Sequence, residues 1–152
     1  MRLALILGTV AVLVLTGAAS GSSVQKVTLT MRDFGFSPQK LTLAQGIPVE
    51  LTIVNKGKVA HEFMAYEMPR QAMSDREMDH DYIAKINYFR NVEVKATGGK
   101  VRRAGKDFID IRVATGKSVT LAFTPLRKGT FEIGCMLADH YQAGMRGVLV
   151  VK

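Results

Sequence analysis

Between Phe131 and Met145 the chain reads Phe-Glu-Ile-Gly-Cys-Met-Leu-Ala-Asp-His-Tyr-Gln-Ala-Gly-Met. The segment holds the only cysteine, Cys135, followed by His140 and then Met145, each five positions beyond the last. A thiolate, an imidazole and a thioether on one short loop form a soft donor set. Soft sulfur donors favour Cu(I), imidazole suits both copper oxidation states, and two histidines, one cysteine and a long axial methionine make a blue-copper electron-transfer site. The second histidine is available upstream as His61, in Asn55-Lys56-Gly57-Lys58-Val59-Ala60-His61-Glu62-Phe63. His61, Cys135, His140 and Met145 are the candidate metal ligands.

Redox compartment bears on the same cysteine. Arg2, the apolar run Leu3 to Leu15 and the small residues Gly17-Ala18-Ala19-Ser20-Gly21 read as a secretory signal peptide over residues 1–21. The run is shorter than the roughly 20 apolar residues of a membrane span. Cleavage near Ala19 to Gly21 is expected, with an uncleaved N-terminal anchor as the alternative, and the mature protein is expected in the periplasm or its extracytoplasmic equivalent. A lone cysteine there has no internal disulfide partner. Taken singly it would be read as a small buried core residue, but His140 and Met145 at this spacing favour a ligand.

The formal charge is +8, and loss of Arg2 with the signal would leave +7. A basic surface favours acidic partners and is screened by salt. Nucleic acid is not expected, because no Lys/Arg-rich block is interleaved with aromatics. Most basic residues are scattered; the densest group, Lys100 to Lys106, is expected to be a flexible loop.

The elements that must position the ligands are mostly strands. Apolar residues alternate at Val27, Leu29 and Met31, at Leu41 and Leu43, at Val49, Leu51 and Ile53, at Ile109, Ile111 and Val113, at Val119, Leu121 and Phe123, and at Phe131, Ile133 and Cys135. Val148 to Val151 closes the chain as an apolar strand. Turn signals separate these runs at Gly46, Asn55 to Gly57, Gly98-Gly99, Gly116 and Gly129. This pattern predicts an all-β, Greek-key sandwich or barrel in one domain over residues 24–152. An insertion at about 68–90 breaks the rhythm. Ser74 and Glu77 form a capping-box pattern, which predicts a helix over 74–89 with Met78, Tyr82, Lys85 and Phe89 on one face. A strand is expected at Asn91 to Lys95.

With these features the chain resembles the cupredoxins, the blue-copper family that includes plastocyanin, azurin, auracyanin and rusticyanin. The resemblance rests on Gly46 to Asn55, on His61-Glu62-Phe63, and on Cys135, His140 and Met145-x-Gly147 before a Val-rich terminal strand. It implies one copper ion cycling between Cu(I) and Cu(II), with His61, Cys135 and His140 as strong ligands and Met145 as a weak axial one. It implies an electron leaving through His140, amid Met136, Leu137, Tyr141 and Ala143. The expected task is one-electron transfer between redox proteins such as a cytochrome, an oxidase or a copper enzyme, by a monomer that is not an enzyme. Two positions depart from the family pattern: Glu62 replaces the common Asn after the first histidine, and Met136 replaces the Ser or Thr common after the cysteine. These neighbours tune the potential in opposite senses.

Three other readings follow from the residues. Met64, Met68, Met73, Met78 and His80 could hold Cu(I) in a copper-trafficking or copper-resistance protein, although methionines commonly fill core gaps. A multicopper enzyme would need more histidines than the single one left over, His80, and a Cys–His hydrolase would leave Met145 without a role. A metal-free interaction module would make the four-residue set a coincidence.

Overall fold

The computed structural model describes residues 23–71, 73–74 and 76–152; the expected signal peptide lies outside them. Among these described residues, eleven strands and one helix follow in the order β1 (Gln25–Arg32), β2 (Gly35–Ser37), β3 (Lys40–Leu43), β4 (Val49–Asn55), β5 (His61–Glu67), α1 (His80–Ile86), β6 (Val94–Thr97), β7 (Lys100–Ala104), β8 (Asp107–Val113), β9 (Ser118–Phe123), β10 (Gly129–Gly134) and β11 (Arg146–Val151). One sheet has the order β2-β1-β4-β9-β6 and the other β3-β11-β10-β5-β8-β7. The alternation seen in the sequence is the cause. Val49, Leu51 and Ile53 of β4 meet Phe123, Leu121 and Val119 of β9 at the same register positions, and all six are buried. Joined by Phe63, Ile111, Phe131, Ile133 and Leu149 of the second sheet, they form one continuous core. Each such side chain contributes roughly 1.5–3 kcal/mol on burial.

β5 is buried on both faces along nearly its whole length. Phe63 and Ala65 turn inward to the main core, while Met64 and Tyr66 turn outward into a second cluster with Met78, Ile83, Ile109 and Tyr141. That second cluster is roofed by the insertion. A strand covered on both sides loses its polar alternation, which explains the apolar reading of Phe63 to Tyr66.

The helix is shorter than the expected 74–89. Ser74 and Glu77 do make the reciprocal contact, with Ser74 N–H donating to Glu77 Oε2 at 2.8 Å, but it closes a single turn. Asp79 is extended and takes over as N-cap, its side chain accepting from Tyr82 N–H at 2.8 Å. The chain leaves the helix at Asn87, whose φ of −58° and ψ of 130° are not helical. Tyr88 N–H then donates to Ala65 O at 2.9 Å, and Tyr88 and Phe89 insert into the main core. Ile83 is therefore the buried helix residue, and Lys85 is exposed.

Two further expectations are corrected. The strand expected at Asn91 to Lys95 lies at Val94–Thr97, where it pairs with β9. Lys100 to Lys106 is not a flexible loop: Lys100–Ala104 is a sheet-edge strand paired with β8. Val101, the second residue of this run, packs against the core, which outweighs the polarity of its neighbours.

Candidate metal centre

The ligand-bearing loop leaves β10 at Gly134 and re-enters β11 at Arg146, so two paired strands hold both of its ends. Backbone bonds tighten it: His140 N–H donates to Leu137 O at 2.9 Å, Met145 N–H to His140 O at 2.9 Å, and Cys135 N–H to Met145 O at 3.2 Å. The last bond sets Met145 beside Cys135, and both are fully buried in the main core.

His61 arrives from the other side as the first residue of β5. The preceding loop is knotted by Asn55, which is also fully buried. Its Nδ2 donates to Val59 O at 2.8 Å and to Val113 O at 2.9 Å, and its Oδ1 accepts from Gly57 N–H at 2.8 Å.

Together these elements place His61 Nδ1 3.2 Å from His140 Nδ1, and Cys135 Sγ 3.3 Å from His140 Nδ1. The three donor atoms lie within 4.8 Å of one another, a group that could hold a metal ion. Metal–nitrogen and metal–sulfur bonds of about 2.0 and 2.3 Å would seat donors only a few tenths of an ångström farther apart, so the residues fit an ion with little movement. The soft donor set suits copper. Of the four candidates, the structure brings His61, Cys135 and His140 to one point, with Met145 packed beside the cysteine. His80 lies elsewhere, 3.4 Å from Glu62 Oε2 and 3.9 Å from Asp110 Oδ2.

Burial disfavours charge on the donors until an ion binds. Burial pushes the Cys135 thiol up to about 11, so the protein alone does not hold a thiolate; an ion must stabilise it. The sulfur already accepts one hydrogen bond, from Glu62 N–H at 3.3 Å. Burial also lowers the His61 pKa, opposed by its hydrogen bond to Asp33. The imidazole is thus neutral, with Nε2 3.3 Å from Asp33 Oδ1 and Nδ1 turned to the other donors.

Several contributors were not singled out by the sequence. Asp33 and Phe34 form the β1–β2 turn: Asp33 touches His61, and the exposed Phe34 packs edge-on against His140 with ring centroids 5.4 Å apart. Glu132 ties the ligand loop to the sheet, accepting from Tyr66 Oη–H at 2.9 Å and Tyr141 Oη–H at 3.0 Å. Tyr141 is accordingly buried rather than part of the apolar surface expected around His140. Met136 and Leu137 are half-buried and Ala143 is exposed. At the Glu62 departure the backbone N–H meets the sulfur, while the carboxylate charge helps to raise the thiol pKa. Met64 and Met78 are fully buried packing residues, whereas Met68 is exposed.

Two sheets sealed around such a loop give the chain a cupredoxin-like fold. Residues 4–77 match the family model described as a cupredoxin-like domain. A copper-resistant cuproprotein, CopI, of Rubrivivax gelatinosus is 29% identical over 81% of this chain and 61% of its own length. The CopI of Pseudomonas aeruginosa is 25% identical over 89% of this chain and 80% of its own length. The chain thus spans about three fifths of the first of these relatives. Dithionite-reduced auracyanin from Roseiflexus castenholzii shares the fold, with a TM-score of 0.60 at 19% identity over 87% of this chain and 99% of that one.

Proposed function

We propose that this is an extracytoplasmic copper protein that carries single electrons between redox proteins. His61, Cys135 and His140 would hold the ion strongly and Met145 would be a weaker ligand. The observation behind this reading is the convergence of His61 Nδ1, Cys135 Sγ and His140 Nδ1 at 3.2 and 3.3 Å. A bound copper ion would supply the one-electron couple. The chain's own part is to hold the donors still and exclude water: Cys135, His61 and Met145 are fully buried, and the loop is fixed at both ends. His140 is half-buried beside Phe34, Leu137 and Ala143, which makes it the point of approach for a cytochrome, an oxidase or another copper protein.

A second task for the same site, copper resistance or delivery, is favoured by the two CopI relatives. Adding Cu(II) to the metal-free protein tests the shared premise. An intense visible thiolate-to-copper band, abolished by Cys135→Ala with the fold retained, is expected; folded protein without that band rejects the ligand set. Copper retained through repeated redox cycles supports the carrier, and ready transfer to a chelator supports resistance.

A further inference from the structure

A cleft of about 380 Å³ on the outer side of the second sheet is lined by Ala60, Gly99, Lys100, Arg112, Ala114 and Lys117. Three of these residues are small and three are cationic. Lys100 and Arg112 are direct cross-strand partners on β7 and β8, an arrangement in which like charges destabilise each other. Neither they nor Lys117 takes part in an ion pair among the described residues. Neutralisation was within reach, since Glu62 stands opposite Arg112 on β5. Its carboxylate instead lies 3.4 Å from His80. The cleft therefore keeps three cations beside small residues, with Arg112 acting at longer range on the buried Asp110.

We infer that this cleft is the docking site for an acidic segment of a partner protein, its Asp and Glu side chains answering Lys100, Arg112 and Lys117. Charge complementarity selects the occupant, and relief of the Lys100–Arg112 repulsion adds to the gain on binding. The position suits the proposed function, on which the identity of the partner rests. Ala60 in the cleft wall precedes His61, and Glu62 N–H donates to Cys135 Sγ. A partner held there lies beside the strand that touches the metal centre.

The test uses the full chain and a synthetic octapeptide of alternating Asp and Glu. Amide shifts in NMR should map to the β7–β8 region at low salt. Arg112→Glu and Lys100→Glu should each weaken binding about tenfold or more, while Lys40→Glu on the distant edge strand β3 leaves it unchanged. Shifts spread over the whole basic surface would overturn the inference. So would equal losses for all three variants, no binding at low salt, or full displacement by inorganic phosphate of matched charge. The visible copper band of each variant separates the two questions: its persistence keeps the copper site whatever the peptide does, and its absence in the parent protein would sink the copper reading alone.

Discussion

Asp33 Oδ1 and His61 Nε2 lie 3.3 Å apart, and this contact decides which nitrogen of the imidazole faces the metal centre. The Asp33 carboxyl sits below the usual carboxylate range, chiefly because Lys58 N–H donates to it. An ionised carboxylate only accepts, so Nε2 carries the proton and Nδ1 presents its lone pair. Outer partners of this kind commonly contribute 10–100-fold to metal affinity. Asp33→Ala should lower Cu(II) affinity by about that factor, while Asp33→Asn, which keeps an acceptor oxygen, should lose much less. A chelator-competition titration reads the difference, and equal affinities for Ala and wild type would remove Asp33 from the site.

The same junction depends on Gly57. A Cβ there would stand 2.5 Å from Asp33 Oδ1, 2.6 Å from His61 Nε2 and 3.1 Å from Asn55 Oδ1. Gly57→Ala must displace at least one of these groups, at a cost of about 1–3 kcal/mol. Because the Asp33 oxygen causes part of the clash, Asp33→Ala combined with Gly57→Ala should destabilise by less than the sum of the two. Urea unfolding of the metal-free variants measures this; strict additivity would show that the clash is relieved elsewhere.

Glu132 supports the loop from the opposite side. Tyr66 and Tyr141 both donate to its Oε1, and burial raises the pKa of each phenol, keeping both protonated as donors. Tyr66→Phe and Tyr141→Phe should each cost about 1 kcal/mol, and the double variant should exceed the sum by about 1 kcal/mol or more, since it strands a buried oxygen. A double-mutant cycle by urea denaturation reads the coupling, and a value near zero would mean that water replaces the lost donors.

The candidate ligand set was legible in the sequence because its chemistry is scarce: one cysteine and three histidines leave few combinations. The strands were legible because β4 and β9 bury one face and so alternate strictly. The helix was misplaced because Ser74 and Glu77 satisfy a local capping rule, while its true start depends on Asp79 turning the chain. Lys100 to Ala104 carried too much charge to read as a strand until its pairing with β8 was known. Asp33, Phe34 and Glu132 gave no signal at all. Their roles arise from contacts across 28 positions to His61, 106 to His140 and 66 to Tyr66, separations over which local pattern carries no information.

Asp110 tests whether the charged cluster beside β5 strains the fold. It is buried, and its Oδ2 has no hydrogen-bond partner, although Arg102 Nε approaches to 3.4 Å and His80 Nε2 to 3.9 Å. Burial first, and the nearby Glu62 second, push its pKa from 3.8 to about 6, against the pull of Arg102, His80 and Arg112. The raised value means that folding favours the protonated form. Below pH 3.8 both folded and unfolded chains hold the proton and nothing is lost. As pH rises from about 4 to 6 the unfolded chain releases it first, and folded stability falls by up to about 3 kcal/mol, with no further change above that window. Asp110→Asn cannot titrate and should lack this slope. Unfolding free energies of the metal-free pair, measured from pH 4 to pH 8, should therefore show a gap in favour of the Asn variant that widens to about pH 6 and then holds steady. A gap constant across the whole range would mean that Asp110 ionises as readily in the fold as in the unfolded chain.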